Sequence, residues 1–340
     1  PEQSTRKEVY EFIIQELTEN IPNLSEEVNN EYYGRFNKWA GYTLLAKMYL
    51  NSEIFSDGTH KDYDKCIEAC NKVLECGKYS METVRKNVFV TNNENSKEII
   101  FALPFDETYV TDRNAFDFHM YSLQPENQAT YNFKATPWGG ACVIPHYIES
   151  FAPDDQRLKD DFISGPQYNK NGGVLYCTMG NMKGKPLDYV NKVNSIDDSD
   201  ENQGWRWGKF EYAEGITNRL SNDFPLLRYA DVYLMKAEAL LRTGHADEAA
   251  ELVTKVRERN FTEHPAKAIV TGEQLQETSC YDYGRRDNVK STHDHAIIQY
   301  GRMLDELGGE FSQEGRRRQD MVRFGVFSTR SWFSDDARSK

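Results

Sequence analysis

The sequence predicts a mainly α-helical protein in which helical hairpins form a scaffold, interrupted by a large loop-rich insertion that contains short strands. Three observations predict this fold class. Apolar residues recur at steps of three and four along two widely separated segments. The segment between them is instead rich in Gly, Asn, Asp and aromatic residues. No run of about 18 apolar residues occurs, so no membrane-spanning helix is predicted.

Residues 1–79 are predicted to form the first part of the scaffold. One face of a first helix carries four regularly spaced apolar residues, Tyr10, Ile14, Leu17 and Ile21. Pro22 then ends this helix. From Trp39 to Leu74 the same spacing occurs twice, which predicts two antiparallel helices. Small residues at their crossing, Ala46 and Cys66, allow a close approach of the kind found in tetratricopeptide repeats.

Residues 224–340 are predicted to hold a second hairpin and a closing helix. The spacing returns in five residues, Leu227, Ala230, Leu234, Ala237 and Leu241. Gly244 follows where a helix end favours a left-handed residue, and Ala249 begins the next apolar face. The segment Leu227–Arg259 fits the tetratricopeptide unit of about 34 residues. We expect the two hairpins to pack side by side.

Residues 80–223 are predicted to be the loop-rich insertion. Ile99 to Leu103 is a short apolar run that ends at Pro104, which is typical of a strand. Binding residues concentrate on long loops held by a rigid scaffold. Three of the five Trp residues lie in this insertion, so we expect it to carry the ligand surface as one part of a single folded unit, residues 1–340.

Composition and charge limit the partners. A net charge of −13 without a basic stripe disfavours nucleic acid, because nothing neutralises several phosphates. The 20 Tyr and 18 Phe supply rings of the kind that stack on sugar faces. Six Cys without a Cys-x-x-Cys pair favour buried thiols over metal ligands or disulfides. No nucleophile motif or phosphate loop occurs, although spacing alone leaves open a pair of hydrolytic carboxylates.

Two polar stretches contain possible metal ligands, and neither has a sufficient pattern. Asp197 to Gly204 gathers oxygen ligands but lacks the order of an EF-hand. His293 and His295 have no third ligand nearby in sequence. We therefore predict no metal here, and the lack of a nucleophile motif and of a phosphate loop gives no cofactor and no catalytic residue to assign. Arg316 to Arg318 form the only local basic run, and the acidic residues beside them favour a surface or helix-packing role over phosphate binding.

Trp138 is the first candidate ligand-binding residue. It lies between Pro137 and the pair Gly139 and Gly140, a turn at which a ligand or another strand can approach the backbone closely. One interpretation is an exposed platform for a sugar ring. The alternative is a plug that anchors the insertion on the scaffold.

Four further aromatic residues are candidates. Trp205 and Trp207 would point to one face of an extended segment, with Arg206 on the other. Such a pair suits either a clamp for a sugar or a strand that covers the core. Tyr109 and Tyr131 lie in loops and are weaker candidates, because Tyr is abundant in this chain.

Several segments carry a family resemblance. They occur in order over nearly all of the chain: 37–50, 62–81, 95–106, 136–162, 222–260 and 310–325. The fifth resembles the characteristic helical pair, and the last resembles the closing Glu-Gly-x-Arg-x-x-Asp-x-x-Arg helix, of the SusD/RagB proteins. These are glycan-binding surface lipoproteins of nutrient-uptake systems in Bacteroidetes.

The resemblance implies a SusD-like fold and binding without turnover. It implies capture of oligosaccharides at the extracellular face of the outer membrane and their delivery to a SusC-like TonB-dependent transporter. The resemblance further implies membrane association through a lipid anchor, and we expect this sequence to lack the anchor, the family's N-terminal part and its C-terminal tail. Two alternatives remain open: a helical-repeat module that binds peptides or another protein, and a carbohydrate-active hydrolase.

Overall fold

The computed structural model describes residues 3–110, 115–195, 199–285, 294 and 296–330, and it is mainly helical, as predicted. The α-helices are α1 Arg6–Asn20, α2 Lys38–Leu50, α3 Ser52–Phe55, α4 Tyr63–Leu74, α5 Phe118–Ser122, α6 Gln128–Tyr131, α7 Pro145–Glu149, α8 Arg157–Asp161, α9 Tyr229–Arg242, α10 Ala246–Arg257, α11 Gly272–Gln276, α12 Gly301–Glu310 and α13 Arg317–Arg323. The strands are β1 Ile99–Leu103, β2 Phe162–Ile163, β3 Gly165–Pro166, β4 Asp188–Tyr189, β5 Arg206–Trp207 and β6 Phe224–Arg228.

Helices α1, α2 and α4 form the first part of the scaffold. Thr5 begins α1 with a capping box, since its side chain accepts from the backbone N–H of Glu8 and the Glu8 carboxylate accepts from the N–H of Thr5. The Asn37 side chain caps α2 in the same way, by accepting from the N–H of Ala40. The apolar faces of α2 and α4 meet in one core, which includes the fully buried Ala46 and Cys66.

The second hairpin consists of α9 and α10. Gly244, in the turn between them, has the left-handed φ of 89° that its position predicted. Ala237 and Ala249 are both fully buried in the core that the two helices share. Helix α9 also contributes Val232 and Met235 to the core of α2 and α4, so the two hairpins pack side by side.

The predicted start of the second hairpin at Leu227 is wrong. Leu227 belongs to β6, and the helix begins only at Tyr229. Strand β6 pairs antiparallel with β1, and Leu227 lies opposite Phe101. This pairing brings together two segments near the two ends of the loop-rich region, residues 99–103 and 224–228.

Residues 80–223 contain short helices, two small ladders and long loops. Strand β2 pairs with β5, and β3 pairs with β4, each over two residues. Their core is largely aromatic: the ring of Phe116 lies edge-on to that of Phe210 at 4.7 Å and to that of Phe118 at 4.9 Å. Aromatic rings fill the interior here because the short elements offer few continuous apolar faces.

Buried ion pairs join the loop-rich region to the C-terminal helices. The Arg228 guanidinium lies 2.8 Å from Glu98, 2.9 Å from Glu310 and 2.7 Å from Glu314. Burial alone would raise the pKa of Glu310, but Arg259 and Arg228 hold that pKa well below its ordinary value. Arg316 pairs with carboxylates on α9 and α13, in agreement with the helix-packing role predicted for the basic run.

Candidate functional site

Backbone hydrogen bonds fix the turn that carries Trp138. The N–H of Trp138 donates to the carbonyl of Met120 at 2.8 Å, and the N–H of Ala141 donates to that of Tyr121 at 2.9 Å. Gly139 and Gly140 have φ values of 75° and 111°, a region that favours glycine. The indole is 53% exposed, so it is not a plug in the core.

Tyr121 adds a second ring beside Trp138. The two ring centroids are 4.8 Å apart with an interplanar angle of 79°, and Tyr121 is 49% exposed. Such an edge-to-face pair presents two apolar surfaces at an angle to one another. The sequence did not single out Tyr121, because no motif or spacing distinguishes it among the 20 Tyr residues.

A cleft of about 380 Å³ lies beside this pair, and we call it the Trp138 cleft. Polar side chains form much of its lining: Gln124, Asn181, Asp200, Glu201, Gln203 and Arg206. The Gln124 amide donates to the carbonyl of Glu201 at 3.0 Å, and the Gln203 amide donates to Asp200 at 3.3 Å. Amide and carboxylate groups next to an exposed ring are the groups that a sugar requires.

The carboxylate of Glu201 is held in place at the edge of this cleft. It accepts from the backbone N–H groups of Thr178 and Met179 at 2.9 and 3.0 Å. Burial, together with the nearby carboxylate of Glu126, raises the pKa of Glu201. The Thr178 hydroxyl donates to Glu126 at 2.6 Å and lies 3.5 Å from Glu201, so the two carboxylates share one hydroxyl group.

Trp205 and Trp207 share one face, as the alternation predicted. Both pack against the apolar cluster of Val143, Ile148 and Phe162. Arg206 lies on the other side, with its guanidinium 4.7 Å from the centre of the Tyr189 ring. The two indoles therefore partly cover a small core, and neither lines the Trp138 cleft.

Trp207 instead lines a second cleft of about 440 Å³, which we call the Trp207 cleft. Its other prominent lining residues are Tyr147, Tyr281, Tyr283, Arg317 and Arg318. Neighbouring residues line the two clefts: Cys142 and Arg206 belong to the first, Val143 and Trp207 to the second. Trp138 and Trp207 thus lie in two different clefts, and Trp205 lines neither of them.

The two candidate Tyr residues differ in exposure. Tyr109 is 84% exposed. The ring of Tyr131 stacks on that of Phe133 at 4.9 Å and lies edge-on to that of Tyr212 at 5.8 Å. Burial raises the pKa of Tyr131 to about 12. Tyr131 therefore packs mainly against the aromatic core, and little of its ring remains for a ligand.

The SusD family model matches residues 97–339. The chain belongs to the SusD family. It is 22% identical to the starch-binding protein SusD of Bacteroides thetaiotaomicron over 371 residues, which cover 98% of this chain and 60% of that protein. The chain therefore spans less than two thirds of this SusD relative.

Solved SusD-like structures share the fold. A SusD-like protein from Bacteroides fragilis matches with a TM-score of 0.64 at 19% identity, covering 95% of this chain and 61% of that one. Surface glycan-binding protein A from Bacteroides thetaiotaomicron matches with a TM-score of 0.65 at 17% identity, covering 98% of this chain and 64% of that one. Scaffold and loop-rich region together therefore have a SusD-like arrangement.

Other features of this SusD-family chain bear on its chemistry. The described residues include no group of three or more His, Cys, Asp or Glu that could hold a metal ion. The predicted candidates His293 and His295 lie outside those residues, as do Asp197 and Asp198. Among the helices described, none is long and apolar enough to cross a membrane. The expectation of buried thiols is wrong for Cys280, which is exposed.

Proposed function

We propose that this chain is a glycan-binding protein whose ligand stacks on Trp138 and Tyr121. The observation that carries the proposal is the exposed indole, held by two backbone hydrogen bonds beside a cleft of amide and carboxylate groups. A sugar ring presents an apolar C–H face to such an indole and hydroxyl groups around its rim. Membership of the SusD family, with a relative named for starch binding, supports a carbohydrate over other flat ligands.

The charges of the Trp138 cleft favour a neutral oligosaccharide. Asp200 and Glu201 line it, and Glu126 lies next to Glu201. The guanidinium of Arg206 is the one cationic group on the described lining, and its two terminal nitrogens already donate to the carbonyls of Ala141 and Glu201. A sugar carboxylate would meet repulsion here, whereas neutral hydroxyls find both acceptors and donors.

The other candidate aromatic residues have smaller roles in this proposal. Tyr109, because of its exposure, offers a second platform for a longer glycan. Trp205 orders the backbone beside the cleft, since its carbonyl accepts from the N–H of Val143 at 2.9 Å. Trp207 belongs to the Trp207 cleft, and Tyr131 supports the loop core.

The biological role that we propose is capture without turnover. Residues 80–223 would carry the ligand surface, and residues 1–79 and 224–340 would support it. The protein would hold its glycan at the extracellular face of the outer membrane and deliver it to a SusC-like TonB-dependent transporter. Support comes from membership of the SusD family and from relatives named for starch and glycan binding.

A titration of neutral oligosaccharides tests the proposal. We expect α- or β-linked glucose oligomers, or another member of a neutral panel, to shift the Trp fluorescence and to release heat in calorimetry. Trp138→Ala should abolish this binding, and Tyr121→Ala should weaken it about tenfold. Trp39→Phe, on α2 and outside the lining of the cleft, is the control and should bind normally.

Three results would contradict the proposal. Unchanged glycan binding by Trp138→Ala would show that Trp138 is not part of the binding site. Binding of peptides but of no sugar would favour the helical-repeat interaction module instead. Release of reducing ends from any bound glycan would show that the chain is a hydrolase.

A further inference from the structure

The Trp207 cleft differs from the Trp138 cleft in its charge. Its lining includes Arg316, Arg317 and Arg318, and no acidic side chain among the residues that the structure describes. This is unexpected on a chain with a net charge of −13. Aromatic rings form its walls, with Tyr147, Trp207, Tyr281 and Tyr283 around the apolar Leu307 and Phe311.

The three arginines are not equivalent. Arg316 is buried and lies 3.0 Å from the carboxylate of Asp320, and it also pairs with Asp231. Neither Arg317 nor Arg318 forms an ion pair with a carboxylate in the described part of the chain, although Asp305 and Asp320 lie close enough to Arg317 to interact with it electrostatically. In contrast with Arg228, which contacts three carboxylates, the exposed Arg318 and part of the Arg317 guanidinium can bond to an external anion.

The guanidinium of Arg317 is fixed in position. It donates to the carbonyl of Leu304 at 2.8 Å and to the hydroxyl of Tyr283 at 3.0 Å. A Cβ atom on Gly308 would lie 2.8 Å from the Arg317 Nη1 atom. Because Gly308 has no side chain, the Arg317 guanidinium has room to lie against α12. A guanidinium has about five N–H donors, and those two bonds leave others for a ligand.

A carboxylate beside a ring is the ligand chemistry that matches this cleft. Arg presents paired donors that suit a carboxylate, and such charge-assisted bonds are roughly twice as strong as neutral ones. Rings of Trp and Tyr bind the apolar face of a sugar. An isolated inorganic anion would form the charge interaction with the arginines but would make no contact with the aromatic walls.

We propose that the Trp207 cleft is a second binding site, which takes a uronate unit of an acidic oligosaccharide. The sugar ring packs against Trp207 and Tyr281, and the carboxylate bonds with Arg317 and Arg318. The choice of a sugar rests on the glycan-binding function proposed above. The preference for its acid form rests on the charges of this cleft alone.

Matched substitutions at Ile144 test the charge. Ile144 lines the cleft and is 38% exposed, so a polar residue there should not disturb the core. Calorimetry with oligogalacturonate should show binding to the full chain that weakens as salt is added. Ile144→Glu should lower the affinity about tenfold, whereas Ile144→Gln, equal in size but neutral, should change it less than about threefold. Arg318→Gln should also lower it about tenfold.

The ligand supplies the second control. The methyl ester of the same oligogalacturonate keeps the ring and loses the charge, and we expect it to bind at least about tenfold more weakly. Trp138→Ala should leave the acidic ligand bound while it removes the neutral one. Inorganic sulfate should compete only at much higher concentration than the sugar.

Each contrary result identifies what fails. Equal affinities of Ile144→Glu and Ile144→Gln, or of acid and ester, would overturn the second site. Loss of the acidic ligand in Trp138→Ala would move it into the first cleft and also overturn it. Binding of neutral glycans without any acidic ligand would leave the proposed function intact and remove only the second site, whereas no binding of either would remove both.

Discussion

The helical hairpins and the loop-rich region are stabilised in different ways. In α9 and α10, backbone groups bond within each helix. Helix α9 buries apolar side chains in both hairpin cores, and α10 buries those of one face. In the loops, side chains bond to distant backbone groups. Lys86 donates to three carbonyls, those of Asp160, Gly208 and Lys209. Burial lowers the pKa of Lys86 to about 8.

This difference indicates where each region is sensitive. A hairpin depends on the combined area of many interchangeable apolar contacts, so one altered surface residue costs little. A loop held by a single polar side chain loses several bonds when that side chain is removed. The ion pairs between the two regions are buried, like the apolar contacts of a hairpin. Each of them also depends on particular side chains, like the polar bonds of the loops.

The largest expected effect follows removal of Arg228. Arg228→Ala leaves the buried carboxylates of Glu98, Glu310 and Glu314 without a shared cation, and breaking a buried pair costs about 3–5 kcal/mol. Urea unfolding would measure the loss. The control is Arg6→Ala, which breaks an exposed pair with Asp57 and should cost less than about 1 kcal/mol. Equal effects of the two would contradict a special role for the buried pairs.

Acid should weaken the ionic contacts while it leaves the apolar cores unchanged. The pKa values of Glu98, Asp161 and Glu310 are lowered in the folded state because nearby cations outweigh the effect of burial. A carboxyl group of this kind stabilises the fold above its unfolded pKa of about 4, and that contribution is lost as the pH falls toward the folded pKa. The loss is up to about 1.4 kcal/mol for each group and pH unit.

We therefore expect the urea concentration at the midpoint of unfolding to decrease as the pH is lowered from pH 5 to pH 3. The Trp fluorescence, which comes mostly from the loop-rich region, should change at less acidic pH than the helical circular dichroism. A midpoint that stays constant over this range would contradict the assignment. Simultaneous loss of both signals would show that the regions unfold together.

A smaller effect is expected inside the scaffold. Ala237 is fully buried where α9 and α10 share a core, and Ala237→Phe should overpack it at a cost of about 1–3 kcal/mol. Lys236→Phe, one residue away and not fully buried, is the matched control for the size of the ring. An unchanged melting temperature in Ala237→Phe would show that this helix face is assigned wrongly.

The scaffold could be predicted because its signal is local. Steps of three and four identify α2, α4 and α10, and the apolar run at Ile99 identifies β1 with its observed bounds. Strand β6 was missed because its partner β1 lies far upstream and because its Leu227 also fits the helical spacing. Helix periodicity cannot show that a residue just before a helix is needed by a strand.

From the sequence, the site could be predicted only as a set of candidate residues of suitable type, without their exposure or their positions in space. The turn around Trp138 indicated an aromatic residue close to flexible backbone, but exposure depends on contacts with Met120 and Tyr121 that the sequence does not show. Tyr131 looked similar in sequence and packs instead against Phe133. The assignment of Trp207 to another cleft depends on α12 and α13, which begin 94 and 110 residues downstream.

Asn93 tests the sensitivity of a single loop residue. Its amide nitrogen donates to the carbonyls of Val88 and Asp223, both at 2.8 Å, and its side-chain oxygen accepts from the N–H of Asp223 at 3.0 Å. Asn93→Ala should cost about 1–2 kcal/mol, because it leaves buried backbone groups without partners. Hydrogen exchange should rise around these segments and not in α9.

Asn95→Ala is the matched control for that experiment, since Asn95 is exposed two residues further along the chain. It should change neither stability nor exchange. If both Asn substitutions were neutral, the loops would not depend on individual polar side chains, and the contrast with the hairpins would fail.

The smallest effect on stability is expected at Trp138, where the effect on binding is largest. Trp138→Ala removes an indole that is 53% exposed and leaves the two backbone bonds of its turn intact, so it should cost less than about 1 kcal/mol. Trp205→Ala, a substitution of the same size, removes a ring that packs against Val143 and Phe162. It should cost about 2 kcal/mol, below the 3–5 kcal/mol of a fully buried ring. Urea unfolding and glycan titration of both variants separate the two roles: a Trp138→Ala protein that loses stability but keeps its glycan would place Trp138 with the supporting residues.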